Sequence, residues 1–418
     1  MMASICLRSI VRPLATLLLL AACCCPATAE EWPCWRGPRG DGTSDEQNIP
    51  TRWSAKENIA WKVEIPGVGH ASPIIWRDRI FLVSCLKETG DRVLISLDRK
   101  TGKTLWRQTV ITAPLEEKHE LNSHASGTPA TDGDTVFCTF LDRDQMAVAA
   151  YDFNGKQRWL VRPGEFHSKH GYSSCPVLFE DKVIVNGDHD GESYLVALDK
   201  ATGKTHWKIP REHKTRSYVT PLIREIEGKP HMILSGSKSI ASYDPRDGSR
   251  YWVIDGPTEQ FVASMVYNGD LLFMTAGFPD HHILAIRPDG HGNVTDTHIQ
   301  WRTTENTSYV PSPIVVGDYF LIVADNGIGS CYEAKTGKRL WKERLGRRYS
   351  ASLVTAVGLV YFTSDDGGTT VVRPGPKYEA VATNDLGEAC FASPAISQGQ
   401  YFQRGEKHLF CIGVNAEK

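Results

Sequence analysis

The sequence predicts an all-β fold: a single eight-bladed β-propeller of four-stranded blades, its ring closed by the N-terminal strand. Three observations predict it. A ten-residue phrase ending in tryptophan recurs as LDRKTGKTLW (Leu97 to Trp106), LDKATGKTHW (Leu198 to Trp207) and YEAKTGKRLW (Tyr332 to Trp341). Weaker copies end at Trp159 and Trp252, and one with an insertion ends at Trp301. A second signature, a small residue usually followed by proline, opens an apolar stretch at Ser72, Thr128, Cys175, Thr220, Ser264, Ser312, Ser352 and Ser393. Within one unit the pattern is that of short strands and tight turns, and four strands in about 40 to 50 residues make one blade.

The elements follow in chain order. Residues 1–29 read as a signal peptide: Arg8 and Arg12 precede the apolar run LATLLLLAA, which is too short to span a bilayer. Cleavage after ATA (Ala27 to Ala29) would release a soluble chain. LAAC (Leu20 to Cys23) resembles a bacterial lipobox, with Cys23 the lipid attachment point and the only link to a membrane. Both routes export the protein to the periplasm or beyond. Residues 30–57 form a lead-in, and the propeller domain covers 58–418.

NIAWKVEIPG (Asn58 to Gly67) reads as an isolated fourth strand, with Trp61 in the docking position. The third unit shows the pattern in full. An apolar run from Pro176 ends at a polar turn, Glu180-Asp181, and a β-branched run follows. After NGDHDGES come YLVALD, a turn, and THWKI. Gly203 supplies the positive φ of that tight turn, and Asp199 can accept its N–H groups.

A blade cannot bury both faces alone, so blades stack in a ring. A tryptophan on the outermost strand covers apolar area while keeping its indole N–H hydrogen-bonded. Trp61, Trp106, Trp159, Trp207, Trp252, Trp301 and Trp341 are therefore blade-docking residues. The seventh unit has YEAVATND (Tyr378 to Asp385) and no tryptophan, so its joint is expected to be the weakest. The eighth unit ends without a fourth strand, which the segment around Trp61 should supply.

Lys+Arg 47 against Asp+Glu 49 gives no field that would attract nucleic acid or an anionic membrane. Beyond the signal peptide the cysteines are Cys34, Cys85, Cys138, Cys175, Cys331, Cys390 and Cys411. Their spacing writes neither a zinc knuckle nor a redox pair. No GxSxG, P-loop or HExxH occurs.

The LDxxTGKxxW repeat resembles the tryptophan-docking repeat of quinoprotein alcohol dehydrogenases and of BamB-type outer-membrane assembly lipoproteins. The resemblance covers roughly residues 58 to 418 and implies a PQQ-like propeller. It implies either a non-catalytic scaffold or binding protein, holding a protein partner or small ligand at the funnel rim, or an oxidoreductase using PQQ with calcium. Quinoprotein dehydrogenases carry adjacent cysteines beside the quinone. The adjacent cysteines here, Cys23 to Cys25, fall in the targeting segment, and no haem-attachment CxxCH is present.

Residues just before each small-residue signature should face the central funnel. They are His70, His124, His170 with Tyr172, Tyr218, Phe261, Tyr309, Tyr349 and Phe391. Converging, they would form a ligand or cofactor site; otherwise they line a wet funnel and pack on blade neighbours. His70, His124 and His170 would suit a first-row metal such as zinc. NGDHDGES offers Asp188, Asp190 and Glu192 as a calcium loop or a polar hairpin. EEKHELNSH (Glu116 to His124) is a long insertion, a lid segment or a solvated loop.

Overall fold

Every blade begins with a short inner strand and ends on a half-exposed outer one, and the repeat dictates both. In the computed structural model, which describes residues 30–413, the first blade comprises Ile74–Trp76, Arg79–Leu86, Asp91–Asp98 and Thr104–Thr112. The expected signal peptide, residues 1–29, and Cys23 lie outside the described residues. Eight antiparallel sheets follow this plan, and no helix occurs among the described residues. In blade three the two middle strands are packed on both faces and are mostly apolar, whereas the outer strand alternates.

The third blade matches the reading of its sequence closely. Its strands are Val177–Phe179, Lys182–Gly187, Tyr194–Asp199 and Thr205–Pro210. Gly203 has φ 73°, and the Thr202 N–H and hydroxyl both donate to the Asp199 carboxylate, at 2.8 and 2.6 Å. The outer strand carries a bulge one residue before its tryptophan, since Ala197 faces Trp207 while Leu198 faces Thr205. The same shift occurs at this position in all eight blades. A bulge adds local twist, which turns each tryptophan toward the next blade.

Each docking tryptophan donates its indole N–H to a carbonyl in the neighbouring blade's last hairpin: Trp106 to Phe153, Trp159 to Lys200, Trp301 to Ala334. The ring lies so close to the hairpin glycine that a Cβ on Gly203 would sit 2.8 Å from Trp159. The last blade is built from Ala395–Ser397, Gln400–Arg404, His408–Ile412 and the N-terminal Ile59–Glu64. Trp61 then docks on the first blade, donating to the Arg99 carbonyl at 3.0 Å. The small residues form a matching inner girdle. Ser264 N–H donates to the Ser312 hydroxyl, Ser312 N–H to Ser352, and Ser352 N–H to Ser393, at 2.8–3.0 Å.

Two features were not expected. The seventh joint is not left open, because Trp53 from the lead-in fills it. Its ring is 5% exposed and packs on Tyr361 of blade seven and Tyr401 of blade eight, with centroids 6.3 and 5.1 Å away. Backbone pairing of Trp53 with the Asn384 amide, and of Thr51 with the same side chain, fixes it there. In addition, the insertion before Trp301 adds a fifth strand, Gly292–Asn293, parallel to the outer strand Arg250–Asp255 of blade four.

The lead-in also crosses the base of the channel. Trp32 pairs with Ile75 of blade one through both backbone bonds. The Arg36 guanidinium, buried and pushed down to about 10 by desolvation, donates to the carbonyls of Pro313 and Leu353 in blades six and seven. Asp41 pairs with Arg224 of blade four at 2.6 Å. One end of the channel is thereby plugged.

Candidate functional site

The other end of the channel opens into a funnel of about 510 Å³. The Trp35 indole lies in its lining, its N–H donating to the Ser264 hydroxyl of the girdle at 3.2 Å. The floor is therefore aromatic and is supplied by the lead-in. Girdle residues Cys175, Thr220, Ser264, Ser312, Ser352 and Ser393 surround it.

The expected funnel residues divide into two groups. His70, His170, Tyr218, Tyr309 and Phe391 line the cavity. Within it His70 stacks on Phe391, centroids 4.7 Å apart, and His170 lies 6.4 Å from Tyr218. Tyr172, Phe261 and Tyr349 are instead buried in the blades. Tyr172 packs edge-on against Phe166 at 4.9 Å, and Tyr349 belongs to the apolar cluster between blades six and seven. An aromatic ring at those positions gains more from the dry blade interior than from a wet wall.

The three histidines do not converge as a metal set. His124 is absent from the lining, because its Nε2 is spent on the Glu116 carbonyl at 3.0 Å. His70 Nδ1 is likewise taken by the Leu121 carbonyl at 3.0 Å. Burial first, and the charge of Arg404 second, push His70 down to about 4, so its imidazole is neutral at physiological pH. Desolvation also lowers His124 and His170. Among the described residues, the one group of three metal-competent side chains with donor atoms within 4.8 Å is Asp181, Asp199 and His206, on the outside of blade three.

Several lining residues were not expected from the sequence. His119 and Asn122 come from the EEKHELNSH insertion, whose side chains form part of the wall. Lys169 and Arg216 bring positive charge, and Arg216 is held by Asp190 through two contacts of 2.7 Å. That contact removes Asp190 from any calcium loop. Asp188 is likewise taken by Arg211, and Glu192 by Lys214, so NGDHDGES is a salt-bridged hairpin. Asp325 is the one carboxylate in the lining, raised by burial, and its oxygens accept the N–H groups of Tyr309 and Val310 at 2.7 and 3.0 Å.

A planar ring could stack on Trp35. Calcium takes six to eight oxygen ligands; the lining offers one carboxylate, Asp325, which already accepts two backbone N–H groups, beside the amide oxygens of Asn122 and Gln260 and several hydroxyls. No hydroxyl in the lining is hydrogen-bonded to an imidazole among the described residues, so no nucleophile–base pair is assembled. The arrangement can stack an aromatic group and hydrogen-bond it.

Comparison with known proteins agrees with this architecture. A family model described as outer membrane protein assembly factor BamB matches residues 51–140, 90–343 and 292–374. The quinohemoprotein alcohol dehydrogenase ADH IIB of Pseudomonas putida is 26% identical over 247 residues. The match takes in 55% of this chain but spans only 34% of that relative's length. Among solved structures, BamB from Moraxella catarrhalis superposes with a TM-score of 0.60 at 13% identity, over 86% of this chain and 98% of that one. The quinohemoprotein alcohol dehydrogenase of Comamonas testosteroni gives 0.54 at 14% identity, over 93% and 81%. At such identities the structures share the fold.

Proposed function

This chain belongs to the family described as outer membrane protein assembly factor BamB, and from that premise we propose that it is an exported, non-catalytic binding propeller. Its funnel seats a small ligand, or a short segment of a protein partner, on the Trp35 floor. The observation that carries this reading is the funnel of about 510 Å³, open at one end, with a lead-in tryptophan as its base. A cavity of that size, with aromatic rings and placed polar groups in its wall, is typical of ligand sites. Export rests on the charged and apolar N-terminal segment.

Phe278 extends the same wall to the rim, where it is 49% exposed. An apolar ring left in water at a cavity mouth suits contact with a partner's side chain. The second reading, a PQQ-dependent oxidoreductase, draws on the flat indole floor and on the partial likeness to a quinohemoprotein dehydrogenase. It has a single carboxylate, Asp325, in the lining to hold calcium.

Soaking crystals with a panel of aromatic fragments tests the binding reading. The expected result is ring density stacked on Trp35 in the wild type and none there in Trp35→Ala. Fragments collecting on the outer blade surfaces, with the funnel ignored, would count against it.

A further inference from the structure

The funnel wall continues into a side notch of about 210 Å³ between blades eight and one, and His70, Asn122 and Phe391 line both. Three cationic side chains line the notch: Lys87, Lys118 and Arg404. Arg404 is 2% exposed, and its guanidinium donates to the carbonyls of Val83 at 2.6 Å and Ala71 at 3.4 Å. It has no carboxylate partner among the described residues. Space for it is made by Gly69, where a Cβ would lie 2.6 Å from its Nη2.

Neither lysine closes this gap in charge. Lys118 Nζ donates to the His119 carbonyl at 3.2 Å, and no ion pair involves Lys118 or Lys87 among the described residues. Of the two carboxylates in the lining, Glu120 turns to Arg348 at 3.1 Å, leaving Glu406 on the rim. The surplus charge is felt locally. Lys118 is lowered by burial and then by Lys87, and Arg404, Lys118 and Lys87 all help to lower His70. A buried guanidinium held by two carbonyls and the Ser84 hydroxyl, with no carboxylate, carries an uncompensated desolvation cost, and charge-assisted bonds to an oxyanion would offset it.

We propose that this notch is an anion subsite, binding the carboxylate or phosphate group of a ligand whose aromatic body lies in the funnel. The inference rests on the funnel being a ligand site. It commits the ligand class to anionic aromatic compounds, with the head group toward blades eight and one.

Phenyl phosphate, benzoate and benzyl alcohol, titrated by ligand-observed NMR at low salt, test it. Lys87→Ala/Lys118→Ala, both on the notch lining, is the main variant, since replacing Arg404 could disturb the blade joint. At least one anion should bind about tenfold tighter than the alcohol. The double variant should lose that advantage, bind benzyl alcohol unchanged and unfold at the wild-type temperature. The stronger of the two anions identifies the head group. Equal binding of all three probes, or an anion advantage surviving in the double variant, overturns the notch and leaves the funnel reading standing. Anion binding without benzyl alcohol binding, insensitive to Trp35→Ala, overturns the funnel reading instead. Binding by none of the three overturns both.

Discussion

Replacing Trp53 with alanine lowers unfolding stability by about 3–5 kcal/mol, the range for deleting a large buried aromatic. The size follows from where Trp53 sits. Blade seven has no docking tryptophan on its outer strand, Ala380–Asp385, so the joint with blade eight relies on the lead-in. Trp53 packs there between Tyr361 and Tyr401, whose rings are themselves 5.4 Å apart. Alanine would leave a void that two tyrosines cannot fill by rotamer change alone. Urea denaturation should show a lower midpoint with an unchanged m-value. Trp53→Phe should recover part of the loss. A midpoint shift below about 1 kcal/mol equivalent would mean that the joint holds without the lead-in.

Asp188→Ala should cost a similar amount, about 3–5 kcal/mol, because it strands a buried guanidinium. Arg211 and Asp188 are both fully enclosed and meet at 2.9 Å. Arg211 also donates to the Tyr243 hydroxyl at 2.6 Å and the Gly236 carbonyl at 2.9 Å, tying blade three to blade four. Removing only the carboxylate leaves the positive charge without a counter-ion. Replacing both residues with apolar ones of similar volume, Asp188→Leu with Arg211→Met, should restore most of the stability. A single variant as stable as wild type would show that the backbone carbonyl and tyrosine are sufficient partners.

The ring was legible in the sequence because it is written redundantly. Two signatures, each repeated, fix the blade phase, and Trp61 with the truncated eighth unit reveals the closure. Local chemistry was readable wherever one turn contains all its partners, as at Asp199, Thr202 and Gly203. What escaped was whatever depends on the lead-in. WPCWRGPRGDG carries no strand period, so nothing in it shows that Trp35 will floor the funnel or that Arg36 will reach blades six and seven.

The wall was half readable for a related reason. Of the residues that precede the girdle positions, His70, His170, Tyr218, Tyr309 and Phe391 line the funnel. Position alone cannot separate them from Tyr172 and Tyr349, whose rings are buried in the clusters between blades two and three and between blades six and seven. Arg216 stands two residues before Tyr218 in the same stretch, and Asp325 recurs as Asp365 in the next unit. Those two signals were present, but a lone charge in a loop is usually solvated.

The central claim is that the funnel binds without performing redox chemistry. It is tested most directly by a thermal-shift titration of the protein with PQQ, with and without calcium, followed by alcohol-driven dye reduction. A ligand at 100-fold excess over its dissociation constant adds about 2.7 kcal/mol, a readily visible shift. The account predicts that any shift is the same with and without calcium, and that no dye is reduced. A calcium-dependent shift accompanied by alcohol-driven reduction would contradict it and make the protein an oxidoreductase.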